Sequence, residues 1–323
     1  MELFKYKESI NFMGWSRRFG ILSLLLVLLS WGLVATKGFN FGIDFAGGTL
    51  IQLKYETKAP IVQIREKLSK NENYKGANVT FFGNENEIII RSKSSSASVG
   101  KDIGDEIRTL LKDTGKFEVR RVDMVGPKIG GELKEKGLTA MILAIIGILI
   151  YVSIRFEWRF ALASVAALVH DVSIATGAIV LFNVEVNLDI LAAILTILGY
   201  SLNDTIIVFD RIREGIRKIK NPDLSHIINE SVTRTLSRTV LTSLTTFFVV
   251  LTLYLFGGEI IKGFSFTLLI GIIVGTYSSI FIASPILMWL GFDVKGFRAK
   301  EAEKLKREKE KEKLRAMYEQ GTV

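Results

Sequence analysis

The sequence predicts a polytopic α-helical membrane protein, with six transmembrane helices and an α+β, ferredoxin-like (βαββαβ) extracytoplasmic domain between helices 1 and 2. Three observations carry that prediction. Apolar residues make up 49% of the 323 and collect into six blocks, each long enough to cross about 30 Å of hydrocarbon. A polar but regularly patterned stretch, residues 36–136, separates the first block from the second. Basic residues favour alternate short loops, which sets an orientation. The absence of cysteine excludes a disulfide scaffold, and the apolar content excludes a disordered chain. A net charge of +9 would suggest nucleic acid in a soluble domain. Here it reads as the topology signal of cytoplasmic loops, so no nucleic-acid partner is expected.

Residues 1–18 form a basic cytoplasmic N-terminal segment carrying Lys5, Lys7, Arg17 and Arg18, ahead of the first span at 19–35. A signal peptide has the same basic flank, but no small-x-small cleavage site follows Val34 and five further spans do. Within 36–136, residues 49–55 alternate like a strand and residues 61–69 have helical spacing after Pro60. Residues 79–82 and 88–91 read as strands flanking the turn Gly83-Asn84-Glu85-Asn86. From Asp102 to Leu111 an amphipathic helix sets Ile103, Ile107, Leu110 and Leu111 on one face, and residues 117–124 supply a last strand. The order β-α-β-β-α-β is the split βαβ plan.

The remaining spans are expected at 137–154, 160–182, 190–209, 240–256 and 264–290. Arg155 and Arg159 occupy one connecting loop, and Arg211, Arg213, Arg217, Lys218, Lys220, Arg234 and Arg238 another. The alternate loops, 183–189 and 257–263, hold only Lys262. Both termini are therefore expected in the cytoplasm. Residues 291–323 are a mixed-charge, helix-favouring tail, read as solvated, with ribosome or anionic-lipid contact as the alternative.

A charge at the bilayer centre costs roughly 2.5 to 3.5 kcal/mol on insertion scales, so each one asks for a reason. In the fourth span Tyr200-Ser201-Leu202-Asn203-Asp204-Thr205 interrupts an apolar helix. At about 100° per residue Ser201, Asp204 and Thr205 share one stripe with Tyr200 at its edge. Asp204 precedes Asp210 by about 9 Å of helix rise, which places it inside the inner leaflet. There it suits a proton-carrying role, with a structural cluster of hydrogen bonds as the alternative. In the third span His170 and Asp171 are neighbours that point about 100° apart, so they are not expected to bond each other, and each is expected to meet a partner on another helix. Asp171 stands open between a proton relay and a structural contact. Arg238, at the entry to the fifth span, either snorkels to the interface or faces Asp204. Gly271-Ile272-Ile273-Val274-Gly275 offers a close-packing face in the sixth span, and Pro285 a kink. His226 lies in a cytoplasmic loop away from His170, so no metal site is expected, and no phosphate-binding loop or nucleophile elbow is present.

Gly42-Ile43-Asp44-Phe45-Ala46-Gly47-Gly48-Thr49, just past the first span, resembles the SecF family, the smaller half of the SecD–SecF protein-export pair. The run from Leu198 through Asp204 to Glu214 resembles that family's fourth-span signature, and Asn229-Glu230-Ser231 through Thr239 its entry to span five. Val125 to Gly130 and His170-Asp171-Val172 match as well, while Ala46 departs from the more usual Thr. The resemblance implies a member of the resistance-nodulation-division superfamily in the cytoplasmic (inner) membrane, not an enzyme. It would assist the SecYEG translocon with SecD, YajC and YidC as further partners, acting on translocating unfolded proteins amid membrane lipids. It implies a proton coupling set of Asp204 and Arg238, to which the residue reading adds Asp171, His170, Asn203 and Tyr200. No cofactor is implied; the coupling ion is a proton, with sodium left open. Related transporters contain two six-span repeats and this chain has one, so a second half is expected. A non-catalytic scaffold stabilising SecD and the translocon, and a small-molecule or lipid exporter half of the same superfamily, are the alternatives.

Overall fold

The computed structural model describes residues 9–92 and 103–319; Lys5, Lys7, Asp102 and residues 320–323 lie outside that range. The chain opens with α1 (Phe12–Lys37), whose start is capped by Asn11 accepting from the Gly14 amide and whose end is Gly38, at φ +68°. A short helix, α2 (Ile43–Ala46), follows, then β1 (Gly48–Tyr55), α3 (Ile61–Ser69), β2 (Asn78–Phe82), β3 (Asn84–Ser92), α4 (Ile103–Leu110) and β4 (Phe117–Val125). The sheet order is β2-β3-β1-β4 with every neighbouring pair antiparallel, which is the arrangement of the split βαβ plan. Strand alternation sends Ile51, Leu53, Tyr55, Ile88 and Ile90 onto the helices, where they pack with Ile64, Leu68, Ile107 and Leu111. The hairpin is tighter than expected. β3 begins at Asn84, and Gly83 alone turns the chain at φ +75°, which a residue without a side chain allows.

Six helices are long and apolar enough to cross a membrane. They are α1, α5 (Pro127–Arg155), α6 (Trp158–Leu181), α7 (Leu188–Lys218), α8 (Leu224–Phe256) and α9 (Glu259–Ser278), the last running through a π-helical turn at Ser279–Ala283 into α10 (Ser284–Trp289). The π turn sits where Pro285 removes a backbone donor, so the expected kink is a widened turn. Gly271 and Gly275 let α9 lie against Ile197 and Ser201 of α7, and α6 and α9 form the enclosed centre of the bundle.

Several helices outrun their apolar blocks. α5 begins at Pro127, suited to a first helical position, and α8 begins after Asp223, whose carboxylate accepts from the Ser225 and His226 amides. The expected basic loop is thus two helix ends joined at residues 219–223. The tail forms α11 (Val294–Glu319), and it is not wholly solvated at its start. Arg298 donates to the carbonyls of Ile216 (2.6 Å) and Ile219 (2.5 Å), and Arg217 pairs with Glu301. These bonds satisfy orphan carbonyls at the C-terminus of α7.

Residues 40–47 bind the α+β domain to the ends of three spans. The Gly42 amide donates to the Val186 carbonyl and the Val186 amide to the Asn40 carbonyl, both at 2.8 Å. Asp44 accepts from the Leu188 amide (3.0 Å) and so caps α7. Gly47, at φ +72°, lies so close to Pro127 that a Cβ would stand 2.8 Å from its Cα. Arg91 of β3 pairs with Glu185 between α6 and α7, beside a cavity of about 860 Å³ under the open face of the sheet. Gly47→Ala is expected to lower stability by roughly 1–3 kcal/mol, read by pulse proteolysis of the purified protein. Gly32→Ala, where nothing lies within 4 Å of the added carbon, should leave it unchanged.

Candidate functional site

Asp204 is 1% exposed in the middle of α7. The helical period buries Ser201, Asp204 and Thr205 together, leaves Tyr200 half-buried, and turns Asn203 to the exposed face of the bundle. Asp204 Oδ2 accepts from Ser243 Oγ of α8 (3.1 Å), and Thr276 Oγ1 of α9 stands 2.7 Å from Ser243 Oγ. Tyr200 donates a long bond, 3.4 Å, to the Thr242 carbonyl.

Arg238 is exposed on α8 and lines a cavity of about 770 Å³ with Arg155, Arg211, Arg213, Arg217, Arg234, Asp210 and Glu214. Among the described residues Asp204 bonds to a hydroxyl rather than to Arg238. The two are nevertheless near in level, because Ile207, three residues beyond Asp204, also lines the cavity. Three residues are about 4.5 Å of helix rise.

The second carboxylate, Asp171 of α6, is wholly enclosed. Its Oδ2 accepts from Ser201 Oγ of α7 (2.5 Å) and Ser278 Oγ of α9 (2.8 Å). Its Oδ1 is 2.8 Å from Nδ1 of His170, so the expectation that these neighbours do not bond each other is corrected. Their Cβ directions do diverge, but both side chains lean into the crevice where α1, α7 and α9 meet α6, and Nδ1 is the ring nitrogen nearest the backbone. Asp171 also has the expected partners on other helices. His170 stacks on Tyr277 of α9, with ring centroids 6.0 Å apart. The Tyr277 hydroxyl donates to the Phe19 carbonyl (2.9 Å) and meets Ser23 Oγ (2.7 Å), both on α1.

The carboxylates are thus joined through α7, where Ser201 precedes Asp204 by one turn, and through α9, where Thr276, Tyr277 and Ser278 are consecutive. Sequence reasoning missed Ser243, Thr276, Tyr277 and Ser278. A signal existed in the run Thr276-Tyr277-Ser278-Ser279, four hydroxyls in an apolar span. Among the described residues no group of three or more histidine and acidic side chains gathers as a metal cage.

A six-span bundle with carboxylates enclosed at its centre, carrying an α+β domain tied to its span ends, defines an integral membrane protein with a polar interior linked to that domain. The chain belongs to the SecD/SecF protein-export family. The family described as "Protein export membrane protein SecD/SecF, C-terminal" matches residues 106–293, and the "SecD/SecF GG Motif" matches residues 32–59. A protein translocase subunit SecF of Helicobacter pylori is 50% identical over all of both chains. The subunit of that name from Vibrio alginolyticus is 43% identical, covering 94% of this chain and 96% of the relative. The crystal structure of SecDF, a translocon-associated membrane protein from Thermus thermophilus, superposes with a TM-score of 0.80 at 36% identity over 89% of this chain. SecDF in a super-membrane-facing form gives 0.66 at 35% identity over 94%. This chain spans 39% and 41% of those two structures, respectively.

Ser201→Ala together with Ser278→Ala removes both hydroxyl donors from Asp171 Oδ2, and an unsatisfied buried group costs about 1–3 kcal/mol. The double variant is expected to unfold at lower temperature in detergent. Thr196→Ala, which removes a hydroxyl bonded only within its own helix, should not.

Proposed function

We propose that the chain is a protein translocase subunit of the cytoplasmic (inner) membrane, both termini in the cytoplasm, which assists SecYEG-mediated export by carrying protons through Asp204. The observation that supports this best is an enclosed carboxylate held by a hydroxyl, less than a helical turn from a basic cavity. Ionising such a carboxylate requires a cation or water at close range. Arg238 is the nearest candidate on the cavity wall. Protonation of Asp204 removes its attraction for Arg238, and deprotonation restores it, so the proton selects between two packings of α7 on α8.

One proton crossing 100 mV releases about 2.3 kcal/mol, enough to bias two packings more than tenfold. The bias reaches the outer domain because Asp44 caps the same helix that carries Asp204. SecD is the proposed partner, supplying a second six-span half. Asn203, polar and exposed on α7, would lie toward it. Translocating unfolded proteins are the substrates, handled on the outer side. A small-molecule exporter of this superfamily would carry a second large outer loop, whereas the α7–α8 connection is only residues 219–223.

The test is export of a secretory protein in cells depleted of their own SecF and supplied with this chain, accumulation being matched by immunoblot. Asp204→Asn is expected to reduce proton-dependent export to the level of cells lacking the subunit. Full export by Asp204→Asn combined with Arg238→Gln would instead mark a scaffold. Dependence on sodium rather than on the pH gradient would change the ion but not the residue.

A further inference from the structure

Two hydroxyls and His170 Nδ1 all face the Asp171 carboxylate, and an ionised Asp171 accepts from all three when Nδ1 carries the ring hydrogen. The other nitrogen, Nε2, is then bare. It is buried without a partner, in a residue 6% exposed. Buried polar atoms without partners are rare and ask for an explanation.

In this state the pair carries one net negative charge inside an apolar bundle. Of the elements packed against α6, residues 19–36 of α1, 137–154 of α5 and 263–289 of α9, the π turn and α10 contain no charged side chain, and the basic residues of α7 begin only at Arg211, ten residues beyond Ser201. The titratable groups nearest the pair from those elements are Tyr277, stacked on the imidazole, and Asp204, one turn along α7 from Ser201. A proton on Nε2 converts the pair into an imidazolium beside a carboxylate, neutral overall, which a water-poor interior holds at less cost than a lone charge.

We infer that the His170–Asp171 pair is a second protonation site of the bundle, distinct from Asp204, with His170 Nε2 as the atom that takes and releases the proton. One N–H bond forms from the Nε2 lone pair and an incoming proton, and no other bond changes. Along α7 its partner Ser201 lies about 4.5 Å nearer the outer end than Asp204, so the pair stands between Asp204 and the outer side. The purpose of the site rests on the proton-coupled reading above; its existence does not.

The geometry also supplies an outlet. The imidazole lies on the Tyr277 ring, whose attraction for a cation exceeds that for a neutral ring, and the Tyr277 hydroxyl is fastened to α1 at Ser23 and Phe19. The π turn begins two residues later, a backbone irregularity often found at functional positions. α1 leads directly into the segment that binds the outer domain.

The chain contains only two histidines, and His226 is half-buried on α8. His226→Gln therefore leaves one imidazole to observe. The full-length chain, labelled with ¹⁵N-histidine and held in lipid nanodiscs, is followed by NMR from pH 5 to pH 9. Nδ1 is expected to stay protonated throughout, while Nε2 passes from its unprotonated to its protonated position as pH falls. Asp171→Asn should abolish that transition, and Asp204→Asn should keep it with a displaced midpoint. An Nε2 that is protonated at every pH, or bare at every pH, overturns the inference. So does a transition indifferent to Asp171→Asn. Titration that persists while Asp204→Asn exports normally would sink the proton-coupled reading and leave this site standing.

Discussion

The structure depends on solvating two enclosed carboxylates with hydroxyls from neighbouring helices. Each serine or threonine that reaches Asp171 or Asp204 comes from a different helix than the acid it serves, so the acids hold α6, α7, α8 and α9 in one register. Hydroxyls suit the task because they donate without adding charge and are small enough for close helix approach. Gly275 lies directly beside Ser201 for that reason. A lysine in any of these positions would satisfy an acid permanently, and the site could no longer respond to a proton.

That centre is joined to the α+β domain by short covalent and hydrogen-bonded links rather than by a flexible tether. Asp44 at the head of α7, Gly47 against Pro127 and Arg91 on Glu185 attach the sheet at separate points. A tilt of α7 or α1 therefore moves the domain as a body, and its well-packed βαββαβ core resists deformation.

The spans were legible in the sequence because hydropathy is a local property, and α3 begins and ends where its spacing predicts. The strand order followed from the pattern of apolar alternation. Helix starts at Pro127 and Leu224 were not legible, since beyond the membrane a helix is extended by its caps and not by its hydropathy. Asp204, Asp171 and Arg238 could be singled out because charge is rare in such segments. Their partners could not, since serine and threonine also bond to their own helix and only packing decides which hydroxyl turns away. The His170–Asp171 contact was misjudged for a related reason: an angle between Cβ directions says little about where a longer side chain ends.

The clasp made by Arg298 has a bearing on biogenesis. The carbonyls it covers, at Ile216 and Ile219, belong to the helix that carries Asp204, yet Arg298 leaves the ribosome long after that helix has entered the membrane. Until α11 emerges, that end of α7 lacks these donors, and a protein truncated before Arg298 would leave the end of the helix that holds the central acid unfastened.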